Sequence, residues 1–141
     1  KKIYKYYPYV SGSILFESTE GTLTQLKNAG GFRLIKDTAS VHRIMEYDYL
    51  NQIIKKQGDA YYSQNIELIH LMEEMIDLSV INNPSKTNYY FNQSPDKLRL
   101  LYNKCFYQKQ IIAGYCSLLQ FQSGNAVKYM NVLSKNYNIK E

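Results

Sequence analysis

The chain has 141 residues, of which 45% are hydrophobic and 21% charged, and its formal net charge is +5. This composition is typical of a globular domain and argues against disorder, and the length is sufficient to bury one core. No apolar run approaches the roughly 18 residues that cross a bilayer, and the opening residues lack a signal-peptide pattern. We predict a single domain over 1–141 and, because the chain does not begin with methionine, expect it to be a piece of a longer protein.

Positive charge is concentrated in the second half of the chain. Residues 1–81 carry nine Lys/Arg and ten Asp/Glu, whereas residues 82–141 carry eight Lys/Arg and two Asp/Glu. A basic half can attract nucleic acid, anionic lipid or an acidic protein. The basic residues are scattered along a helical pattern and do not form a run, which favours a solvated lysine face.

The first predicted helix is short and lies at about 19–29. Thr22 and Gln25 have the spacing of a capping box, and Gly30-Gly31 is a typical helix stop. Residues 1–17, which precede it, are rich in tyrosine. Either this stretch starts as the frayed end of a helix, or all of it wraps the domain as an extended arm.

A very long helix is predicted over about 38–81, and we expect the rest of the fold to be organised around it. Asp37 or Thr38 is its expected N-cap. Nine residues within it recur at alternating spacings of four and three, which places them on one side of a helix. These are Leu50, Ile54, Gln57, Tyr61, Gln64, Leu68, Leu71, Met75 and Leu78. Gly58 also fits a boundary between two helices, but a mid-helix glycine costs only about 1 kcal/mol, so we predict one continuous, bent helix.

The long helix is followed by a predicted loop over 82–93. Pro84 is incompatible with a continuing helix, and asparagines are common in turns. The next helix has the clearest start signal in the chain, with Ser94 as N-cap and Pro95 at the first helical position.

Helices are predicted at about 94–122 and 126–138, with an interruption at Ser123-Gly124-Asn125. The first of them again shows a three-four spacing. Its predicted inner face consists of Leu98, Leu101, Cys105, Gln108, Ile112, Tyr115 and Leu119. Together the elements predict an all-α, antiparallel bundle of about four helices.

No arrangement of residues in the sequence predicts catalysis, a metal or a cofactor. His70, Glu73 and Glu74 share one helical turn, but no second helix supplies the partner ligands that a metal-binding bundle uses, so we interpret them as surface ion pairing. Cys105 and Cys116 lie eleven positions apart, about 16 Å on one helix, which is too far for a disulfide. We predict that both are small buried hydrophobic residues.

One segment resembles a group of known proteins. Residues 24–37, TQLKNAGGFRLIKD, followed by VHRIMEY at 41–47, are similar to a pattern in uncharacterised, membrane-anchored bacterial proteins: L-x-x-S/A-G-G-x-R-L-I-x-N/D and then a helix. Those proteins have an N-terminal transmembrane helix and an all-helical domain outside the inner membrane. The resemblance implies a helical fold on the periplasmic side and a membrane anchor upstream of this chain. It supplies no catalytic residues.

The remaining signals indicate binding. Fifteen tyrosines without tryptophan suit interfaces or a pocket between helices. Glutamines on otherwise apolar faces either fix helix register by hydrogen bonds or contact a ligand. The candidate ligand or interface groups are therefore Gln57, Tyr61, Gln64, Gln108 and Tyr115.

We therefore predict a non-enzymatic, periplasmic helical domain that senses a ligand or binds a protein. Its expected partner is a small molecule or a protein, with a second copy of the chain as an alternative. A cytoplasmic module that binds nucleic acid through the basic face of 94–140 is the second hypothesis. An enzyme whose site assembles from distant residues is the third.

Overall fold

The computed structural model describes residues 12–77, 79 and 94–137. It contains three α-helices: α1 (Gly21–Asn28), α2 (Thr38–Met75) and α3 (Pro95–Tyr137). A short 3-10 helix, Gly31–Leu34, connects α1 to α2. These residues contain no β-strand, so the all-α prediction is confirmed. The bundle of about four helices is not confirmed.

The described residues form two compact units. The first comprises 12–15, 58–77, 79 and 94–114, and the second comprises 16–57 and 115–137. Helices α2 and α3 each contribute one part to each unit. The prediction of a single domain over 1–141 stays a prediction.

Helix α2 begins where the sequence places its cap. The Asp37 carboxylate accepts hydrogen bonds from the backbone N–H of Ala39 (3.1 Å) and of Ser40 (3.2 Å), and a third from the Ser40 hydroxyl. These bonds satisfy N–H groups that have no partner within the helix. The hydrogen bond from the Ser40 hydroxyl is the largest cause of the lowered pKa of Asp37. The Asp37 carboxylate therefore stays charged at a lower pH than an ordinary aspartate does.

The buried side of α2 follows a seven-residue repeat. Half of the repeat was predicted, because Ile54, Tyr61, Leu68 and Met75 are all buried. The other half was not predicted, because three of its residues are not hydrophobic and the fourth, Met72, is not on the predicted face. The four residues are Asn51, Gly58, Asn65 and Met72. Helix α2 continues through Gly58, as predicted, and the glycine itself is buried.

Helix α2 ends earlier than about residue 81. Its last helical residue is Met75, and the Asp77 carboxylate then accepts hydrogen bonds from the Ser79 N–H (3.0 Å) and hydroxyl (2.6 Å). An aspartate that bonds the backbone two residues ahead favours a turn over a further helical turn. Leu78 and the predicted loop over 82–93 lie outside the described residues.

Helix α3 is one helix of 43 residues, so the predicted division into 94–122 and 126–138 is wrong. It starts at Pro95, as predicted. Ser123-Gly124-Asn125 is helical, and Asn125 is buried. A glycine within a helix has only a small cost, which the packing of the neighbouring turns can offset.

The buried face of α3 is also rotated from the predicted one. Leu101, Gln108, Tyr115 and Gln122 are buried at intervals of seven. Among the other predicted positions, Leu119 is half-buried and the remaining three turn outward. Leu98 and Ile112 are exposed, and so are both cysteines, which corrects the prediction that Cys105 and Cys116 are buried. The apolar residues of α3 form two neighbouring stripes, and the prediction combined them.

The core of the first unit joins α2 to α3. Its members are Leu68, Met72, Met75, Ile76 and Leu101. Two ion pairs flank it, Lys97–Glu74 at 2.7 Å and Lys104–Glu67. The hydrogen bond from Lys97 and its charge lower the pKa of Glu74. Both ion pairs fix the antiparallel register of α2 and α3 in this unit.

Helix α1 belongs to the second unit and is held against α2 by an ion pair. The Lys27 ammonium contacts the Asp48 carboxylate. Gly30 has a φ of 64°, the left-handed conformation that the predicted helix stop requires. The predicted capping box is wrong. Helix α1 starts at Gly21 after Glu20 and has no side-chain cap, so Thr22 lies inside the helix.

The chain before α1 is anchored by two tyrosine hydroxyls. In the first unit, the Tyr61 hydroxyl donates to the Gly12 carbonyl at 3.2 Å. In the second unit, the Tyr115 hydroxyl accepts from the Phe16 N–H at 2.7 Å. Residues 12–20 contain no helix, whereas 1–11 lie outside the described residues. No helix in the described part of the chain is both long and apolar enough for a membrane span.

We predict that Leu68→Ala lowers the free energy of unfolding by about 2–5 kcal/mol, because it opens a cavity in the core of the first unit. Leu100→Ala is the matched control, since Leu100 is 46% exposed in the same unit and its loss should cost about 0.5 kcal/mol or less. Urea denaturation followed by circular dichroism measures both. Equal losses would contradict the core assignment.

Candidate functional site

Two of the five predicted site residues come together in the first unit. The buried Gln108 side chain donates a long hydrogen bond of 3.5 Å to the Tyr61 backbone carbonyl. The Gln108 Oε1 atom is buried and has no hydrogen-bond partner. This contact joins α2 to α3, which is the register role that the sequence offered as one alternative for the glutamines.

The other three predicted residues lie apart. Gln64 is half-buried and donates to Glu67 at 3.5 Å, and Gln57 is half-buried in the second unit. The Tyr115 hydroxyl accepts a hydrogen bond from the Phe16 backbone N–H. None of the five residues lines either of the two cavities described below, so their role in binding stays a prediction.

An apolar cleft lies between α2 and α3 in the second unit. It has a volume of about 250 Å³. Its lining, which defines the apolar cleft, is Ile44, Tyr47, Ala126, Tyr129, Met130 and Leu133. Ala126 occupies a position where a larger side chain would fill the space. The cleft is somewhat smaller than most pockets for drug-sized ligands, and it suits an apolar side chain or a single ring.

Polar groups stand at one edge of the apolar cleft. The rings of Tyr47 and Tyr129 meet edge to face, with centroids 6.3 Å apart and planes at 76°. The Tyr129 hydroxyl donates to Glu46 at 2.8 Å. Desolvation, followed by the hydrogen bond to Glu46, raises the pKa of Tyr129, and the Arg43 charge opposes this rise. The hydroxyl therefore stays protonated and holds its ring in place.

A buried polar network fixes the helices beside the apolar cleft. Gln122 donates from Nε2 to the Asn51 carboxamide oxygen at 2.6 Å and to the Tyr47 backbone carbonyl at 2.9 Å. Gln122 and Asn51 are both buried, and the Gln122 Oε1 atom has no partner. Because an unpaired buried polar group is costly, this network strongly favours one helix register.

Large apolar side chains are exposed on the part of α3 that carries the apolar cleft, and one of them, Met130, lines the cleft. Phe121, Val127 and Met130 are 59%, 57% and 58% exposed. The stretch 115–127, which carries Phe121 and Val127, contains no charged residue. Exposed helix surfaces normally carry charges, and grouped apolar side chains mark interaction surfaces.

A second cavity, the α1 cavity, lies on the other side of Ile44 and Tyr47, under α1. Its volume is about 280 Å³. Its lining is Ser18, Thr19, Glu20, Thr22, Leu23, Leu26, Ile44, Tyr47, Asp48 and Asn51. Asp48 accepts from Gln52 at 3.1 Å in addition to its ion pair with Lys27.

The titratable side chains form no recognisable reactive centre in the part of the chain that the structure describes. No group of three or more His, Cys, Asp or Glu side chains is placed to hold a metal ion among those residues. The His70 Nδ1 atom lies 3.4 Å from a Glu73 carboxylate oxygen, and both side chains are exposed. Cys105 is exposed, but desolvation by the neighbouring residues still raises the pKa of its thiol, which lowers its reactivity.

Neither cavity was predicted from the sequence. Ile44 and Tyr47 continue the buried repeat of α2 towards its N-terminus, so extending the stripe below Leu50 could have found one wall. Ala126 and Met130 lie on the outer stripe of α3. The α1 cavity could not be found this way, because it needs the non-helical residues 18–20 beside α2.

Comparison with known proteins adds no relative. No protein-family model matches the chain, no curated protein matches it, and no solved structure matches it.

We predict that Asn51→Ala and Gln122→Ala are coupled in a double-mutant cycle by about 0.5–3 kcal/mol, because each removes the partner of the other. Denaturation of the wild type, both single variants and the double variant measures the coupling. Asn51→Ala combined with Asn136→Ala is the control, since these side chains do not contact and their effects should add. Additivity in the Asn51–Gln122 cycle would show that the buried bond does not form.

Proposed function

We propose that the protein is a non-enzymatic binding domain, and that the apolar cleft receives an apolar side chain from an amphipathic helix of a partner protein. The observation that carries the proposal is the cleft itself, whose lining includes the exposed Met130. Helix-in-groove recognition uses such a groove, with anchors inserted at helical spacing.

The composition of α3 supports an apolar partner over nucleic acid. Two lysines of its basic first half, Lys97 and Lys104, are already paired with glutamates of α2. Paired lysines contribute less to phosphate binding than free ones, because the competing carboxylate must first be displaced. Beyond Lys109, the next basic residue of the helix is Lys128, and the surface between them is uncharged.

A photo-crosslinking experiment tests the proposal. Benzoylphenylalanine replaces Met130 at the apolar cleft or, as control, the exposed Gln120 on the same helix, in cells of the native host. We expect a discrete adduct from position 130 and none from position 120. An adduct of twice the chain mass would identify a second copy as the partner.

Matched variants separate the apolar cleft from general adhesion. Ala126→Glu places a charge in the cleft and should abolish the adduct, whereas Gln120→Glu adds the same charge elsewhere and should leave it. Thermal denaturation checks that both variants fold. If Ala126→Glu folds and the adduct persists, the cleft is not the binding site.

We also propose that the domain acts on the periplasmic side of a bacterial inner membrane. The support is the likeness of residues 24–37 to the membrane-anchored bacterial proteins. The test is protease access to the natural full-length protein in spheroplasts. We expect cleavage by external protease without lysis, and full protection in intact spheroplasts would overturn the proposed location.

A further inference from the structure

We propose that the α1 cavity binds a small primary amine with an apolar body about the size of one aromatic ring. This site is separate from the apolar cleft, and its ligand is a small molecule, so it goes beyond the proposed protein partner. The volume of the cavity, the polar groups in its lining and the sign of its charge all favour such a ligand.

The α1 cavity is large enough for such a ligand. Its volume is about 280 Å³, and an apolar cavity of about 150 Å³ is known to hold benzene in other proteins. Leu23, Leu26 and Tyr47 provide apolar wall, which would exclude water around a ring. Room therefore remains beside a ring for a short polar tail.

Two buried polar residues in the lining keep unused hydrogen-bonding capacity. Asp48 is only 8% exposed, and both of its bonds, from Lys27 and Gln52, go to Oδ2. No described group donates to its Oδ1. Asn51 is 7% exposed and uses its oxygen for Gln122, while no described group accepts from its Nδ2. The buried atoms that lack a partner do not include Asp48 Oδ1 or Asn51 Nδ2, so solvent reaches both within the cavity. A ligand that donates to Asp48 and accepts from Asn51 would replace water at these two atoms.

The charge of the lining selects a cation. Glu20 and Asp48 are the ionised side chains of the α1 cavity, and no lysine or arginine lines it. Lys27 pairs with Asp48 Oδ2 from outside the lining, so the uncompensated charge of the cavity is that of Glu20, which is exposed and accepts from the Ser18 hydroxyl at 3.0 Å. An ammonium ion balances that charge, whereas a carboxylate ligand would be repelled.

Three probes of one shape test the proposal on the intact chain: 2-phenylethylamine, the neutral 2-phenylethanol and the anionic phenylacetate. Titration followed by the backbone amide signals in NMR measures their binding. We expect the amine to bind at least about tenfold more tightly than the alcohol, because its bond to Asp48 is charge-assisted. Phenylacetate should bind more weakly than either. The largest shifts should fall on α1 and on residues 44–51.

Two variants distinguish binding from a structural role of the ion pair. Asp48→Asn should remove the preference for the amine over the alcohol. Lys27→Met removes the other half of the same pair and should leave amine binding equal or tighter, since Asp48 is no longer neutralised. If both variants weaken amine binding alike, the pair only holds α1 in place and the proposal fails. Equal affinity of the amine and the alcohol for the wild type, or no shifts at millimolar amine, would also overturn it.

Discussion

The structure depends on the packing of α2 against α3 along a seven-residue repeat. In the first unit this contact buries Leu68, Met72 and Leu101. An apolar contact of this kind, taken alone, does not fix the register of the two helices, because sliding one helix by one repeat along the other again pairs apolar residues. The ion pairs of Lys97 and Lys104 remove this freedom in the first unit, since a shift would separate both lysines from their glutamates.

In the second unit, buried amides replace ion pairs as the constraint on register. Gln122 can satisfy its Nε2 only where Asn51 and the Tyr47 carbonyl lie opposite. Asparagine and glutamine in a core give up hydrophobic stabilisation, but they penalise every arrangement that leaves them unpaired. The two cavities lie directly beside this fixed network, so a ligand would meet walls that are already positioned. Preorganisation of this kind lowers the entropic cost of binding.

The sequence was sufficient for the all-α class and for several helix boundaries, and insufficient for the number of helices and for their inner faces. Signals that start or stop a helix are local. Asp37 and Pro95 start helices and Gly30 stops one as predicted, whereas the predicted cap at Thr22 does not form. The buried face of α3 could not be identified from apolar periodicity, because Leu98, Cys105 and Ile112 form a stripe as apolar as the buried one. Gln108 and Gln122 are buried because they find partners on α2, which is information held by another helix. For the same reason the polar half of the α2 repeat, including Asn51 and Asn65, gave no signal.

Contacts between the methyl groups of α2 and those of α3, measured on a methyl-labelled sample, test the packing most directly. Nuclear Overhauser spectroscopy should connect the methyl groups of Leu101 to those of Leu68 and Met72, while a soluble paramagnetic agent should broaden Leu100 and spare Leu101. This outcome would show that Leu101 packs against Leu68 and Met72, as the structure has it. If Leu101 is broadened and shows no contact with Leu68 or Met72, the helices meet through a different face, and the packing of α2 against α3 described here is contradicted.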